Sequence, residues 1–497
     1  MNHWITAPII LPAFVAVLMI IVLRGNLALQ RALAIAAGLA LNGIAIALLW
    51  SATTHGTEAY FLGDWPAPFG ISLVLDRLSA LMVALLAALS FATLLNAIGS
   101  GWDAKGAHFH PLLQFLVMGV AGAFLTGDAF NLFVFFEVLL IASYGLMVHG
   151  SGRERTRAGF QYVAFNLVGS SLFIVALGLI YGVTGTLNLA DLAAKLPSLP
   201  PGDSALIRTA AVMLILVFAI KAALVPLQFW LPGTYANAPG VVAALFAIMT
   251  KVGAYSTLRF GTLVFPPDLP ATGDLLASLL LPAALVSLAV GAIGTLGATT
   301  LPRLAAFAGI ASMGLAFTAI AAFTPQTTAA ALYYILHSTL ATAILFLVAD
   351  LVTRRRAHGR LDSAAPIAQS GLLAALFLAA ATAMAGLPPL SGFIGKLLIL
   401  DAFRDQAPLV WTVILGASFL MILGFARAGS TLFWKPEGAA PPAIAEPFAV
   451  GAAFSLLAGL AALTLLAGPV TAWLADTATA LHAPAEYINA NRLGQDG

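Results

Sequence analysis

Residues 221–255 read KAALVPLQFWLPGTYANAPGVVAALFAIMTKVGAY. Two apolar runs flank a proline-rich centre, Lys221 and Lys251 lie deep within them, and the stretch contains no acidic residue. About 20 apolar residues at a rise of about 1.5 Å each cross a bilayer core of about 30 Å. The lysines then stand where lipid should be, and a mid-bilayer charge costs at least about 2.5–3.5 kcal/mol unless it is paired or hydrated. Pro226 and Pro232 interrupt the first run. Proline frees backbone carbonyls, and non-helical backbone at membrane depth is tolerated only against protein or water. The stretch therefore reads as a broken span, a turn and a second span, arranged around two charged groups that serve a function.

The rest of the chain agrees. Of 497 residues 61% are hydrophobic and only 8% charged, against about 25% charged in soluble globular proteins. Such a chain is an integral membrane protein with no room for a soluble catalytic domain. Cysteine is absent, which removes disulfides, iron–sulfur clusters and thiolate ligation of metal or haem; no cofactor is expected. The net charge of +2 gives no basis for a nucleic-acid partner. No phosphate-binding GxxxxGK[ST] loop, dinucleotide fingerprint, HExxH or nucleophile elbow occurs, so energy must arrive as an ion gradient or from a partner.

Hydropathy separates about fourteen spans, an all-α architecture, near 5–23, 29–50, 70–98, 111–127, 129–148, 160–184, 206–231, 239–262, 275–298, 303–323, 327–351, 370–402, 408–432 and 448–474. Lys and Arg are retained in cytoplasmic loops. Thirteen of the eighteen basic residues outside the spans fall on one set of loops, concentrated at GRERTR (152–157) and RRRAHGR (354–360). The other set holds five: Lys195, Arg208, Arg259, Arg404 and Arg492. Both termini are expected to face away from the cytoplasm.

Charges about halfway along spans carry the chemistry. Glu137, in NLFVFFEVLLIASY, lies about nine residues from each end of its span, roughly 13 Å from either interface and beyond the reach of a carboxylate. Lys221 and Lys251 are similarly central, and Lys396 follows the Pro388–Pro389 break in AMAGLPPLSGFIGK. One carboxylate and several lysines in a dry bundle suit proton transfer, because burial disfavours an ammonium and a nearby carboxylate restores it. A static Glu137–lysine pair that only ties helices together is the alternative, and it leaves the surplus lysines unexplained. His337 is the one histidine clearly within a span, a proton relay or a neutral core histidine. Asp76 and Arg77 are expected to form an internal ion pair or a partner-facing site. Asp128 reads as a helix N-cap, with the first ligand of an incoming cation as the other reading. Asn166, Ser170 and Ser171 are expected to bond helix to helix. The broken spans are the seventh and twelfth, five apart; five is odd, so a second unit would lie inverted relative to the first, the pattern of a transporter with internal repeats.

Over roughly residues 70–435, TGDAFNLFVFFEVLLIASY, the 221–255 stretch and GLPPLSGFIGK resemble the signatures of the antiporter-like membrane subunits shared by Mrp-type multisubunit cation/proton antiporters and respiratory complex I. The resemblance implies fourteen helices in four units: three N-terminal helices (1–110), two inverted five-helix repeats (111–262 and 270–435), and a C-terminal helix and tail (440–497). It also implies Glu137 and Lys221 as the charges of a first half-channel, Lys251 as the connecting group, His337 in a central relay and Lys396 as the terminal lysine. Where many relatives have a lysine a few residues after the histidine, Ala341 and Thr342 stand here. The function implied is exchange of Na+ or K+ for H+ by a non-enzymatic subunit of a hetero-oligomer in a bacterial inner membrane. A proton-pumping subunit of a redox complex and a non-transporting structural subunit are the alternatives.

Overall fold

Apolar runs that cross a bilayer fold as helices because each backbone N–H and C=O is then bonded within its own segment. The computed structural model of the chain describes residues 2–200, 202, 204–436, 441, 442 and 445–491; Arg492 lies outside them. Among the described residues α1 (Ala7–Ile21), α2 (Leu27–Thr54) and α3 (Arg77–Gly99) precede α4 (Phe109–Leu125), α5 (Ala129–Val148) and α6 (Arg153–Thr184). After the short α7 (Leu189–Lys195), α8 (Ser204–Ala222) stops partway, α9 (Trp230–Asn237) resumes the path, and α10 (Gly240–Arg259) follows. α11 (Leu275–Gly297), α12 (Leu301–Ile320) and α13 (Pro325–Arg356) lead to a second divided span, α14 (Ser370–Ala385) with α15 (Ser391–Ala402). α16 (Ala407–Gly429), α17 (Pro447–Leu465), α18 (Ala467–Leu481) and α19 (Ala485–Ala490) complete the set. Among the described residues twelve helices are long and apolar enough to cross a membrane, and α4 and α14 are shorter apolar helices. Together they coincide with the fourteen expected spans.

Helix starts follow from local side chains. Asp76 accepts a hydrogen bond from Ser79 N (2.8 Å) while Ser79 Oγ accepts one from Asp76 N (2.9 Å), a capping box at the head of α3. Asp128 accepts from Asn131 N at 2.8 Å and caps α5, the first of its two sequence readings. Near helix C-terminal ends, indoles add a second donor to a carbonyl: Trp230 Nε1 donates to Ile220 O at the end of α8 (3.1 Å) and Trp411 Nε1 to Leu400 O at the end of α15 (2.9 Å).

The structure corrects three expectations. The third span begins at Arg77, because residues before it form a strand: β2 (Ser72–Leu75) pairs antiparallel with β1 (Glu58–Phe61), Glu58 opposite Leu75. A four-residue apolar run such as SLVL has the hydropathy of a span's first turn, so averaging merged it with the helix. The sixth helix starts at Arg153 rather than near 160; arginine stems lie along a helix while their heads reach water. The fourteenth span divides into α17 and α18 and runs on to Leu481.

Two helices form the axis. Every residue of α10 from Val241 to Arg259 is buried, as is α13 from Ala330 to Ala349. α13 packs on α10, α12, α14, α15, α17 and α18. Peripheral helices turn one face outward; on α6 that face carries Phe160, Leu167, Val175 and Tyr181. A cavity bounded by Arg153 and Arg155 of α6 and by Asp350 and Thr353 of α13 places both arginine runs on one face of the molecule.

Candidate functional site

The mid-span charges sit on helices that pack against one another within the bundle. Glu137 on α5 accepts a hydrogen bond from Ser170 Oγ on α6. One helical turn away, Asn166 Oδ1 accepts from Lys221 Nζ of α8 at 3.0 Å. Residues four apart share a helix face, so α6 presents Ser170 to the carboxylate and Asn166 to the ammonium. No ion pair joins Glu137 to Lys221 among the described residues; they are coupled through α6 and space. The Phe136 ring, centred 5.7 Å from Lys221 Nζ, adds a cation–π contact.

Glu137 is half-buried, whereas Lys221 is buried. The glutamate falls on the outward stripe of α5, between Val134 and Ile141, which are 38% and 65% exposed. Ser171 also faces outward, its hydroxyl turned back on Leu167 O.

α8 and α10 touch backbone to backbone next to these groups. A Cβ at Gly253 would come within 2.7 Å of Phe218 O and 2.9 Å of Ala222 N, so only glycine permits the approach that brings the Lys221 and Lys251 helices together. Lys251 is 1% exposed and has no hydrogen-bond or ion-pair partner among the described residues.

On the axis helix α13, His337 is fully buried. Its Nδ1 lies 2.9 Å from Ser391 Oγ at the start of α15, and its Nε2 has no partner among the described residues. It sits in the field of both Lys396 and Lys251. Five residues beyond Ser391, Lys396 Nζ donates to Ala385 O (2.5 Å) and Ser418 Oγ (2.8 Å). Ala385 ends α14, and its carbonyl lies at the break. Gly386, at φ 75°, leaves room for the lysine stem; a Cβ there would meet Lys396 Cε at 2.7 Å.

The mid-span residues read from sequence thus sit on α5, α6, α8, α10, α13 and α15, and the structure adds Ser418 of α16. Four readings change, one of them Ser171, which bonds Leu167 O of its own helix and not a neighbouring one. Asn166 and Ser170 do bond helix to helix, but through the charges themselves; a four-residue spacing on α6 is the only trace of this in the sequence. Asp76 pairs with Arg259, not with Arg77: Arg259 Nη1 and Nη2 lie 2.6 and 2.9 Å from its two oxygens. Arg77 lies instead 3.5 Å from Asp476 and over the Trp473 ring. Arg259, counted among loop arginines, is buried in α10.

Residues 126–422 match the family model described as NADH:quinone oxidoreductase/Mrp antiporter, TM. A relative from Rhizobium meliloti (strain 1021), named as the D-type component of a probable K(+)/H(+) antiporter, is 37% identical over 536 residues, covering 99% of each chain. The D-type component of the Na(+)/H(+) antiporter of Bacillus subtilis (strain 168) is 35% identical over 504 residues, again with 99% of each covered. Among solved structures, a chain of the Mrp complex from Dietzia sp. DQ12-45-1b superposes with a TM-score of 0.90 at 25% identity, covering 99% of this chain and 100% of that one.

Proposed function

This chain belongs to the NADH:quinone oxidoreductase/Mrp antiporter transmembrane family, and we propose that it is the D-type component of a multisubunit antiporter that exchanges Na+ or K+ for H+. It is part of a secondary transporter and not an enzyme. Its partners are the other membrane subunits of the complex, the two ions and the bilayer. The observation that carries this reading is the separation of Glu137 from Lys221 by one turn of α6. A closed ion pair is inert, whereas a carboxylate held near but not on an ammonium controls it through the field.

Protonation of Glu137, or arrival of a cation beside it, removes the negative charge that favours the Lys221 ammonium. The Lys221 proton passes to Lys251 across the close α8–α10 contact, then by way of His337 to Lys396. With Ala341 and Thr342 in place of a further lysine, the central step depends on His337, Ser391 and water. Asp128, at the head of the same helix as Glu137, is the first ligand offered to an incoming cation. Pro226 lies in the gap between α8 and α9, Pro232 in the first turn of α9, and Pro388 and Pro389 in the gap between α14 and α15, where Ala385 O is left to accept from Lys396. The fourth to eighth and ninth to thirteenth spans form two inverted repeats (111–262 and 270–435), between the three N-terminal helices (1–110) and the C-terminal unit (440–497). The chain sits in a bacterial inner membrane with the arginine-rich face in the cytoplasm and both termini outside.

A half-buried mid-span carboxylate on an outward stripe is costly against lipid, which supports a neighbouring subunit seated over Glu137. In vesicles containing the whole complex, Glu137→Ala or Lys221→Ala should reduce cation-driven proton flux to background while the complex still assembles. Wild-type exchange by either variant contradicts the mechanism. Flavin or iron–sulfur subunits in the purified particle would place the chain in a redox pump instead.

A further inference from the structure

A second set of titratable side chains lies on the arginine-rich face, where the end of α5 meets the start of α6 and the loop before α4. α5 ends at Val148, and His149 follows it. The residue is 7% exposed, and the rings of Trp102 and Phe109 meet its imidazole edge-on, with centroids at 6.4 and 5.3 Å. Nε2 lies 3.3 Å from Trp102 O, so Nε2 carries the proton of the neutral ring and donates it to that carbonyl. A Cβ at Gly106 would come within 2.8 Å of the ring's Cε1. The loop therefore closes on the imidazole as far as bare backbone allows.

Charged and titratable groups surround the ring: Asp103 and Lys105 from the loop before α4, His110 from α4 and Arg155 from α6. Asp103 is committed elsewhere, because Arg31 of α2 and His110 bond its two oxygens. Arg155 reaches furthest. Its Nη1 donates to His149 O (3.1 Å) and Ser151 O (2.8 Å), its Nε donates to Asn237 O (3.3 Å), and the guanidinium lies 5.0 Å over the Trp102 ring. Asp350 of α13 attracts it across the cavity that both border. Asn237 is the last residue of α9, the far half of the broken span beyond Lys221. One side chain of α6 thus ties the end of α5 to the end of α9.

Burial holds the imidazole below its ordinary 6.5 and outweighs the acceptor at Trp102 O; Arg155 and His110 lower it further, and Asp103 opposes them. A ring released into water regains the ordinary value, so the released form takes up a proton more readily than the packed one. The packed, neutral ring is therefore favoured above about pH 6.5 and gives way as pH falls below it. Resting on the transport reading and going beyond it, we propose that His149 is an acid switch on the cytoplasmic face. Protonation frees the imidazole from between Trp102 and Phe109, Arg155 loses its hold on the end of α5, and its tie to α9 slackens. The same helix, α6, presents Asn166 and Ser170 to Lys221 and Glu137, so the slackened α6–α9 contact slows antiport as the cytoplasm acidifies.

Inside-out vesicles holding the full complex expose this face to the bath. His149→Gln keeps an N–H donor for Trp102 O and does not titrate. As bath pH falls from about 7.5 to about 5.5, the wild-type rate should drop about tenfold more than the rate of His149→Gln. At the higher pH the two should match, and in right-side-out vesicles the same bath change should give both the same profile. Hydrogen exchange of the wild-type complex provides a readout independent of flux. After correction for the intrinsic rate, the amides of Ala236, Asn237 and Ala238 should exchange about tenfold faster at the lower pH. Identical pH profiles of wild type and His149→Gln from the arginine-rich face, or unchanged protection at those three amides, overturn the inference. Lys221→Ala in parallel separates the two levels. If it is silent while the pH profiles coincide, only the switch fails; if it exchanges normally, the proposed function fails with it.

Discussion

Lys221 and Lys396 each sit beside a broken span, yet the two regions hold their lysines by different means. Lys221 faces a side-chain carbonyl, Asn166, with a carboxylate one turn further along the same helix. Lys396 faces a backbone carbonyl, Ala385 O at the C-terminal end of α14, and a serine, without a carboxylate ion pair among the described residues. The C-terminal end of a helix carries the negative end of its dipole, so Lys396 is held by a field fixed in the backbone. The field at Lys221 comes from a group that can gain or lose charge. The first region is built to be switched and the second to receive.

The sharpest way to break this contrast is to remove the side-chain acceptor in each region. Asn166→Leu leaves the Lys221 ammonium buried without its hydrogen bond, which costs about 1–3 kcal/mol or more for a charged group. The rate of antiport should fall at least about tenfold. Ser418→Ala leaves Lys396 its Ala385 carbonyl and should cost about 1 kcal/mol, a roughly fivefold fall. Equal losses in vesicle flux would erase the distinction between the two regions.

Gly386→Ala tests the backbone side of the contrast. The positive φ and the collision with the Lys396 stem should destabilise the second region by about 1 kcal/mol or more. An earlier thermal transition of the detergent-solubilised complex is the expected result. A Gly386→Ala complex as stable as wild type would show that the carbonyl cradle tolerates movement.

The smallest effect on transport belongs to a static charge cluster outside the membrane. In the loop before α4, burial alone would raise the Asp103 carboxyl. The hydrogen bonds and charges of Arg31 (2.7 and 2.8 Å) and His110 (3.0 Å) outweigh it and hold the group down at about 2, against an ordinary 3.8. A depressed folded value means stability that is fully present above about pH 4 and lost as pH falls towards 2. Asp103→Asn should therefore lower stability at neutral pH and flatten its decline between about pH 4 and 2. Flux per assembled complex should stay unchanged, which distinguishes a closed cluster from the open Glu137–Lys221 arrangement.

What was legible in the sequence follows from the range over which each signal acts. Spans are long averages, so fourteen emerged with boundaries close to those of the helices. Glu137, Lys221, Lys251, His337 and Lys396 were visible because a polar group at mid-span is conspicuous against lipid, and the prolines beside two of the lysines marked the breaks. The β1–β2 hairpin was hidden because four residues carry too little pattern. The Asp76–Arg259 pair joins groups 183 positions apart, and the adjacent Arg77 offered a false local partner. The roles of Asn166 and Ser170 depend on which helices pack against α6, which a spacing of four does not specify.

The central claim is that proton flux runs through the buried lysines, and Lys251 tests it with least ambiguity because it bonds to nothing among the described residues. Lys251→Met keeps the length of the side chain and removes a charge that no partner compensates, so the complex should assemble and be at least as stable as wild type. Cation-driven proton flux in vesicles of that complex should fall to background; flux at the wild-type rate would contradict the account.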